Sequence, residues 1–283
     1  MQSPAKPSLT KSLSRELKMP YYRFENMEQL RTNPHLSSGK GAIVTGTFMT
    51  LRNNNKEAGT GSQLHYHPNE LMVYPISGKI NSVVGKDHRI VEAGTFVHVP
   101  PNARHSMKAC EDGPVSYLYC KDNTWTLAGI AADEAPPEEA PSIDDLKAKH
   151  DAGIYPGQEK MPEASEAIID GLNDCYYPLT GDLEAPPSST RSVKLIEGQR
   201  INFALVDSPE GYKENTEKTL HERFIYIMTG GSDANIDGDA KSVSSGDLLH
   251  VPKGVPFDFK TTSGPTRYCY FESTEFLEAK VQA

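Results

Sequence analysis

No run of apolar side chains in this 283-residue chain approaches the ~20 residues that a membrane-crossing helix needs. The opening residues Met1 to Lys6 lack the apolar core of a secretory signal, so a cytoplasmic protein without a membrane partner is expected. Basic residues are in deficit. Lys and Arg number 29 against 38 Asp and Glu, and the net charge of −9 is the wrong sign for a nucleic-acid binder. Cysteines are few, and Cys110, Cys120, Cys175 and Cys269 show no paired spacing, so free thiols are expected instead of a disulfide framework. What remains, 37% hydrophobic and 24% charged residues, describes a globular protein, and the length fits two domains of ordinary size.

Against this background stands His65-Tyr66-His67. Two histidines at i and i+2 on an extended strand point to one face. A third imidazole, His105, follows the punctuated stretch Gly94 to Pro100, and three ring nitrogens delivered from neighbouring strands make a seat for a divalent metal. The chain also repeats. A shift of 152 carries Glu70 to Glu222, Tyr74 to Tyr226, Gly78 to Gly230, Gly94 to Gly246, and His98-Val99-Pro100 to His250-Val251-Pro252. Turn glycines and a proline kept in register imply duplicated architecture.

The two motifs resemble those of the cupin superfamily, and the repeat resembles a bicupin. The resemblance implies an all-β fold of two tandem double-stranded β-helix (jelly-roll) barrels with a few short helices, covering roughly 40–125 and 190–275. The expected divisions are an N-terminal arm over 1–40, a metal-binding barrel over 41–130, an acidic proline-rich linker with a short helix over 131–165, and a metal-free barrel over 166–283.

The halves differ where it matters. His65 maps onto Glu217, His67 onto Thr219 and His105 onto Phe257, so all three candidate ligands are missing together from the second copy. A barrel therefore folds without them, and in the first copy they are read as metal ligands. His98 has a counterpart in the copy without a seat and reads as structural. Glu70 is ambiguous. The cupin pattern places a ligand glutamate four or five residues after the second histidine, whereas Glu70 comes three after and Leu71 four after. Glu222 persists in the second copy, so Glu70 is either a supporting carboxylate or a fourth ligand. Asn102 replaces a customary glycine of the second motif, and Ala109 stands where asparagine is often found; asparagine tolerates the positive φ of such a turn.

Around the seat, Gln63 shares the face of His65 and His67 by parity. If Glu70 points to the site, Met72, Tyr74 and Ile76 share its face, with Leu71 and Val73 opposite. Arg52 or Arg104 is a candidate partner for a substrate carboxylate or enolate. Asn53 to Lys56 reads as a loop, Gly85 to Asp87 as a hairpin turn, Trp125–Leu127 as a closing strand, and Ser142 as a helix start.

Three functions follow from the resemblance. A three-histidine seat without a carboxylate is similar to the iron(II) dioxygenases, with small-molecule substrate and O2 as partners. A lyase, decarboxylase or isomerase using Mn, Ni or Zn gains weight if Glu70 coordinates. A non-catalytic binding bicupin is the third, and the intact ligands of the first barrel weigh against it. A homodimer or larger homo-oligomer is expected from the resemblance.

Overall fold

The computed structural model describes residues 20–31, 33–125, 129–133 and 175–282. The disordered arm expected over 1–20 (all but Pro20), the helix expected from Ser142, Leu127, and most of the acidic stretch lie outside the described residues.

Strand alternation builds two barrels. Along Met49–Lys56, Met49 and Leu51 are wholly buried in an apolar cluster shared with the second barrel, while Thr50, Arg52, Asn54 and Lys56 point into their own barrel's interior. The same period of two puts Leu118 and Cys120 in the shared cluster and Tyr117, Tyr119 and Lys121 inside. Met49–Lys56 pairs antiparallel with Val115–Asp122, which pairs with Leu71–Ser77. A second sheet closes the barrel with His65–Tyr66, His105–Ala109, Lys79–Val84 and Asp87–Glu92. The hairpin at Gly85 forms as the sequence suggests. The loop expected at Asn53 to Lys56 does not. Those residues continue the strand because Val115 to Leu118 supply a complete ladder, and tertiary pairing overrides the poor strand preference of asparagine.

The second barrel repeats the plan with Ile201–Ser208, Thr266–Ser273 and Arg223–Thr229 in one sheet, and Phe257–Thr261 and Gly231–Ile236 in the other. Each barrel borrows an edge from outside its own sequence half. Tyr21–Arg23 pairs with Asp247–Val251 of the second barrel, and Tyr176–Pro178 pairs with Thr95–Val99 of the first. The spatial barrels thus interlace across the expected divisions at 40 and 166. The single described α-helix, Glu275–Gln282, follows the last strand.

The residues kept by the repeat hold the two barrels together. Glu70, fully buried, accepts from the backbone N–H groups of Gln199 (2.9 Å), Arg200 (2.7 Å) and Ile201 (2.8 Å), and pairs with His98 Nε2 at 2.8 Å. Its counterpart Glu222 accepts from Thr47 (2.6 Å), Phe48 (2.8 Å) and Met49 (3.0 Å), and pairs with His250 Nε2 at 2.9 Å. The gripped turns are themselves 152 residues apart. Each barrel grips a turn of the other through a carboxylate whose lone pairs are filled by backbone donors, a strong arrangement for a buried charge. Tyr74, Phe96, Phe203 and Phe271 pack between the grips, with ring centroids 4.5 to 5.0 Å apart along the chain of contacts.

Candidate metal centre

His65 and His105 sit opposite one another on adjacent strands, and His67 follows two residues on, facing the same way. Their ring centroids are 4.3 Å (His65–His105), 4.8 Å (His67–His105) and 6.1 Å (His65–His67) apart. One ligand nitrogen from each lies within 4.8 Å of the others. Three local devices aim them. His65 Nδ1 lies 2.7 Å from the carbonyl of Gln63, His67 Nδ1 3.1 Å from that of Asn69, and His105 Nδ1 2.9 Å from that of Ala103. In each case the carbonyl accepts from Nδ1–H, which leaves the Nε2 lone pair for the site.

Backbone around the ligands is equally specific. Asn102 adopts φ of +63°, and its N–H donates to the carbonyl of His67 at 2.8 Å, so the turn that customarily carries glycine forms here on asparagine. Gly129 lies against the His65 ring: a Cβ there would fall 2.0 Å from His65 Cδ2. Only glycine lets Ile130–Ala131 pair with the His65 strand.

His67 and His105 are 2% and 1% exposed, and the Nε2 of each is buried without a hydrogen-bond partner; His65 opens onto the cavity. Burial drives the His65 and His67 imidazoles well below their ordinary range and holds His105 down to about 3, with neighbouring imidazoles adding to the effect. All three are neutral at pH 7, the form that binds metal. Neutral nitrogens converging on one buried point, two of them otherwise unsatisfied, fit a divalent ion of the imidazole-favouring kind. No second cluster of this kind occurs among the described residues. In the second barrel Glu217 is exposed, Thr219 Oγ1 donates to the Pro252 carbonyl at 2.7 Å, and Phe257 fills the interior.

A cavity of about 490 Å³ adjoins the imidazoles, lined by Arg52, Lys56, Lys121, Tyr117, Tyr119 and Trp125 among others. Leu71 also lines it, at the position where the cupin pattern would put a carboxylate.

The other expected site residues lie elsewhere. Glu70 is not a fourth ligand here, since its oxygens are spent on the second barrel and His98. The face shared by Glu70, Met72 and Tyr74 was assigned correctly by parity, but it points into the inter-barrel core, and Leu71 and Val73 face the barrel interior. Tyr74 is wholly buried against Phe203, with its phenol pushed up by burial. Arg104 lies over the Tyr66 ring at 5.2 Å and donates to the Ala132 carbonyl at 3.1 and 3.2 Å, pinning the segment beside His65. Gln63 contributes its carbonyl to His65.

Sequence reasoning missed a relay into the centre. Arg200, from the second barrel, donates to Asp122 Oδ2 (3.1 Å), to the Pro68 carbonyl (2.7 Å) and to Thr124 Oγ1 (2.9 Å). Asp122 in turn accepts from the Asn69 side chain, and the backbone carbonyl of Asn69 orients His67. Lys56 and Lys121 were also missed; their only signal was placement at alternate positions of strands that carry tyrosine and asparagine between them.

Residues 56–120 match the family model described as Cupin domain. The match falls within the first barrel. The two-barrel cupin fold also appears in solved structures. A Bacillus subtilis oxalate decarboxylase, described for its Mn(II) centres, aligns with a TM-score of 0.62 at 18% identity, covering 90% of this chain and 77% of that one. The same enzyme from Bacillus subtilis at pH 4.6 aligns with a TM-score of 0.62 at 18% identity, covering 90% and 76%. At that identity the likeness carries the bicupin fold. No curated protein matches the sequence. Among the described residues no helix is long and apolar enough to cross a membrane.

Proposed function

We propose that the first cupin barrel is a metal-dependent enzyme site, in which His65, His67 and His105 hold a divalent ion and a small, oxygen-chelating substrate reacts. The carrying observation is the set of three converging imidazoles, two of which, His65 and His105, line a cavity large enough for a small organic molecule. A bound metal would supply Lewis acidity and, as iron, redox chemistry with O2. Three protein donors leave positions for substrate, the mark of a catalytic as opposed to a closed site.

The chain's own residues do the rest. The Gln63, Asn69 and Ala103 carbonyls hold each imidazole in one tautomer. Leu71 and Met107 give the cavity an apolar wall, and the aromatic rings of Tyr117, Tyr119 and Trp125 exclude water from a bound ligand. Because no carboxylate among the described residues joins the seat, an ion there keeps its full double charge for an anionic chelator. That favours a non-haem Fe(II) dioxygenase acting on a small aromatic, enolic or diketone-like substrate. The second reading, a Mn-dependent decarboxylase or related lyase, is favoured by the fold shared with oxalate decarboxylase.

Elemental analysis of the purified protein, followed by oxygen-electrode assays of iron-loaded protein with catechols, β-diketones, flavonols and hydroxylated aromatics, tests both. Iron that is lost in His65→Ala, with O2 consumption on at least one substrate class, is the expected outcome. Metal retention without O2 uptake, together with CO2 release from oxalate or another organic acid by Mn-loaded protein, supports the second reading. Failure to retain any metal sinks both.

A further inference from the structure

The cavity beside the imidazoles carries three cationic side chains, Arg52, Lys56 and Lys121, and among the described residues no aspartate or glutamate lines it. Arg52 and Lys56 are only 9% and 4% exposed. Arg52 donates to the Leu30 (2.7 Å) and Gly39 (3.0 Å) carbonyls, and Lys56 to that of Met107. Asp122, whose charge acts on Lys121, accepts from Glu70 N, Asn69, Thr124 and Arg200.

The second barrel serves as an internal control. Arg52, Asn54 and Lys56 correspond, 152 residues on, to Ala204, Val206 and Ser208, all wholly buried. Lys121, which pairs across the sheet with Leu71, corresponds by strand register to Glu272, which pairs with Arg223. There Ala204 and Val206 join an apolar cluster with Phe257 and Phe259 that fills the barrel. The fold therefore closes without this cationic wall. The wall occurs in the barrel that has the histidines and is missing from the one that lacks them.

We propose that the cavity selects an organic acid, with chelating oxygens toward the three imidazoles and a carboxylate against Lys56, Lys121 and Arg52. The proposal rests on the metal reading above for the chelating end only. Lys56 Nζ donates to the Met107 carbonyl at 2.5 Å and stands 5.7 Å from the Tyr117 ring centroid; an ammonium has three donors, so its geometry accommodates a ligand oxygen. Trp125 Nε1, buried without a partner on the same cavity, supplies a further donor. The Tyr117 and Tyr119 rings suit a planar or apolar body between the two ends. Burial lowers Lys56 to about 7 and Lys121 to about 8, and a bound carboxylate would restore their charge.

The test compares 3,4-dihydroxyphenylacetate with 4-methylcatechol, which keeps the chelating pair and lacks the acid, by calorimetric titration of the full chain with and without metal. The acid should bind about tenfold or more tightly than the neutral compound, the worth of one hydrogen bond to a charged group. Lys56→Met combined with Lys121→Met should abolish that preference while leaving metal content unchanged. Equal affinity of the wild-type protein for the two compounds overturns the proposal, as does a preference that survives the double substitution. Acid preference in a protein that retains no metal would keep the anion site and remove the metal reading. Retained metal with no acid preference would do the reverse.

Discussion

Lys56 and Lys121 carry a consequence for stability that is opposite in sign to an ordinary ion pair. Each has its native pKa lowered by burial, to about 7 and about 8, from a usual value of 10.5. Between those values and 10.5 the unfolded chain binds more protons than the native one, so stability rises with pH across that window. Below about pH 7 both states are protonated and the penalty is constant. Chemical denaturation of the ligand-free protein from pH 6.5 to 10 should therefore show increasing stability, and Lys56→Met should flatten the curve. A ligand acid should bind most tightly at the low end of the same window. At this scale the three histidines were legible, because spacing and their joint loss from the second copy marked them. Lys56 was not. A lysine among asparagines looks like surface loop until Val115 to Leu118 are seen to pair with it.

At the level of strands and turns, the reciprocal grips explain why a glutamate and a histidine persist where ligands do not. Glu70→Gln replaces a charged acceptor of three backbone donors and should cost about 3 kcal/mol, as expected for a buried charge-assisted set. The prediction is a lower midpoint in urea with metal content intact, since the carboxylate serves the Gln199–Ile201 turn and not the imidazoles. Loss of metal in this variant, with stability unchanged, would instead return Glu70 to the metal. Sequence parity correctly grouped Glu70, Met72 and Tyr74 on one face. Its direction was illegible, because both faces of that strand are buried: one against its own barrel, the other against the second. A strand covered on both sides carries no polar face to tell inside from outside.

Among the described residues, one apolar cluster spans both barrels, beside a separate cluster inside each. Phe203 of the second barrel stacks on Phe96 at 4.5 Å and contacts Tyr74 at 4.9 Å, both from the first. Phe203→Ala should cost about 3–5 kcal/mol. Calorimetry should show one transition moving down as a unit; a split into two, one unmoved, would show that the barrels unfold separately. The repeat made two barrels legible from sequence, but their interlacing was not, because edge strands of three residues, Tyr21–Arg23 and Tyr176–Pro178, leave almost no periodic signal. That lacing bears on how the chain is made. As a nascent polypeptide leaves the ribosome at about 5–20 residues per second, the metal-bearing half has its imidazoles early yet lacks its outermost strand until Pro178 emerges. Tyr21–Arg23, among the first described residues synthesised, must wait for Asp247–Val251 of the second barrel. Completion of the metal-bearing barrel is thereby tied to synthesis of chain beyond its own sequence half.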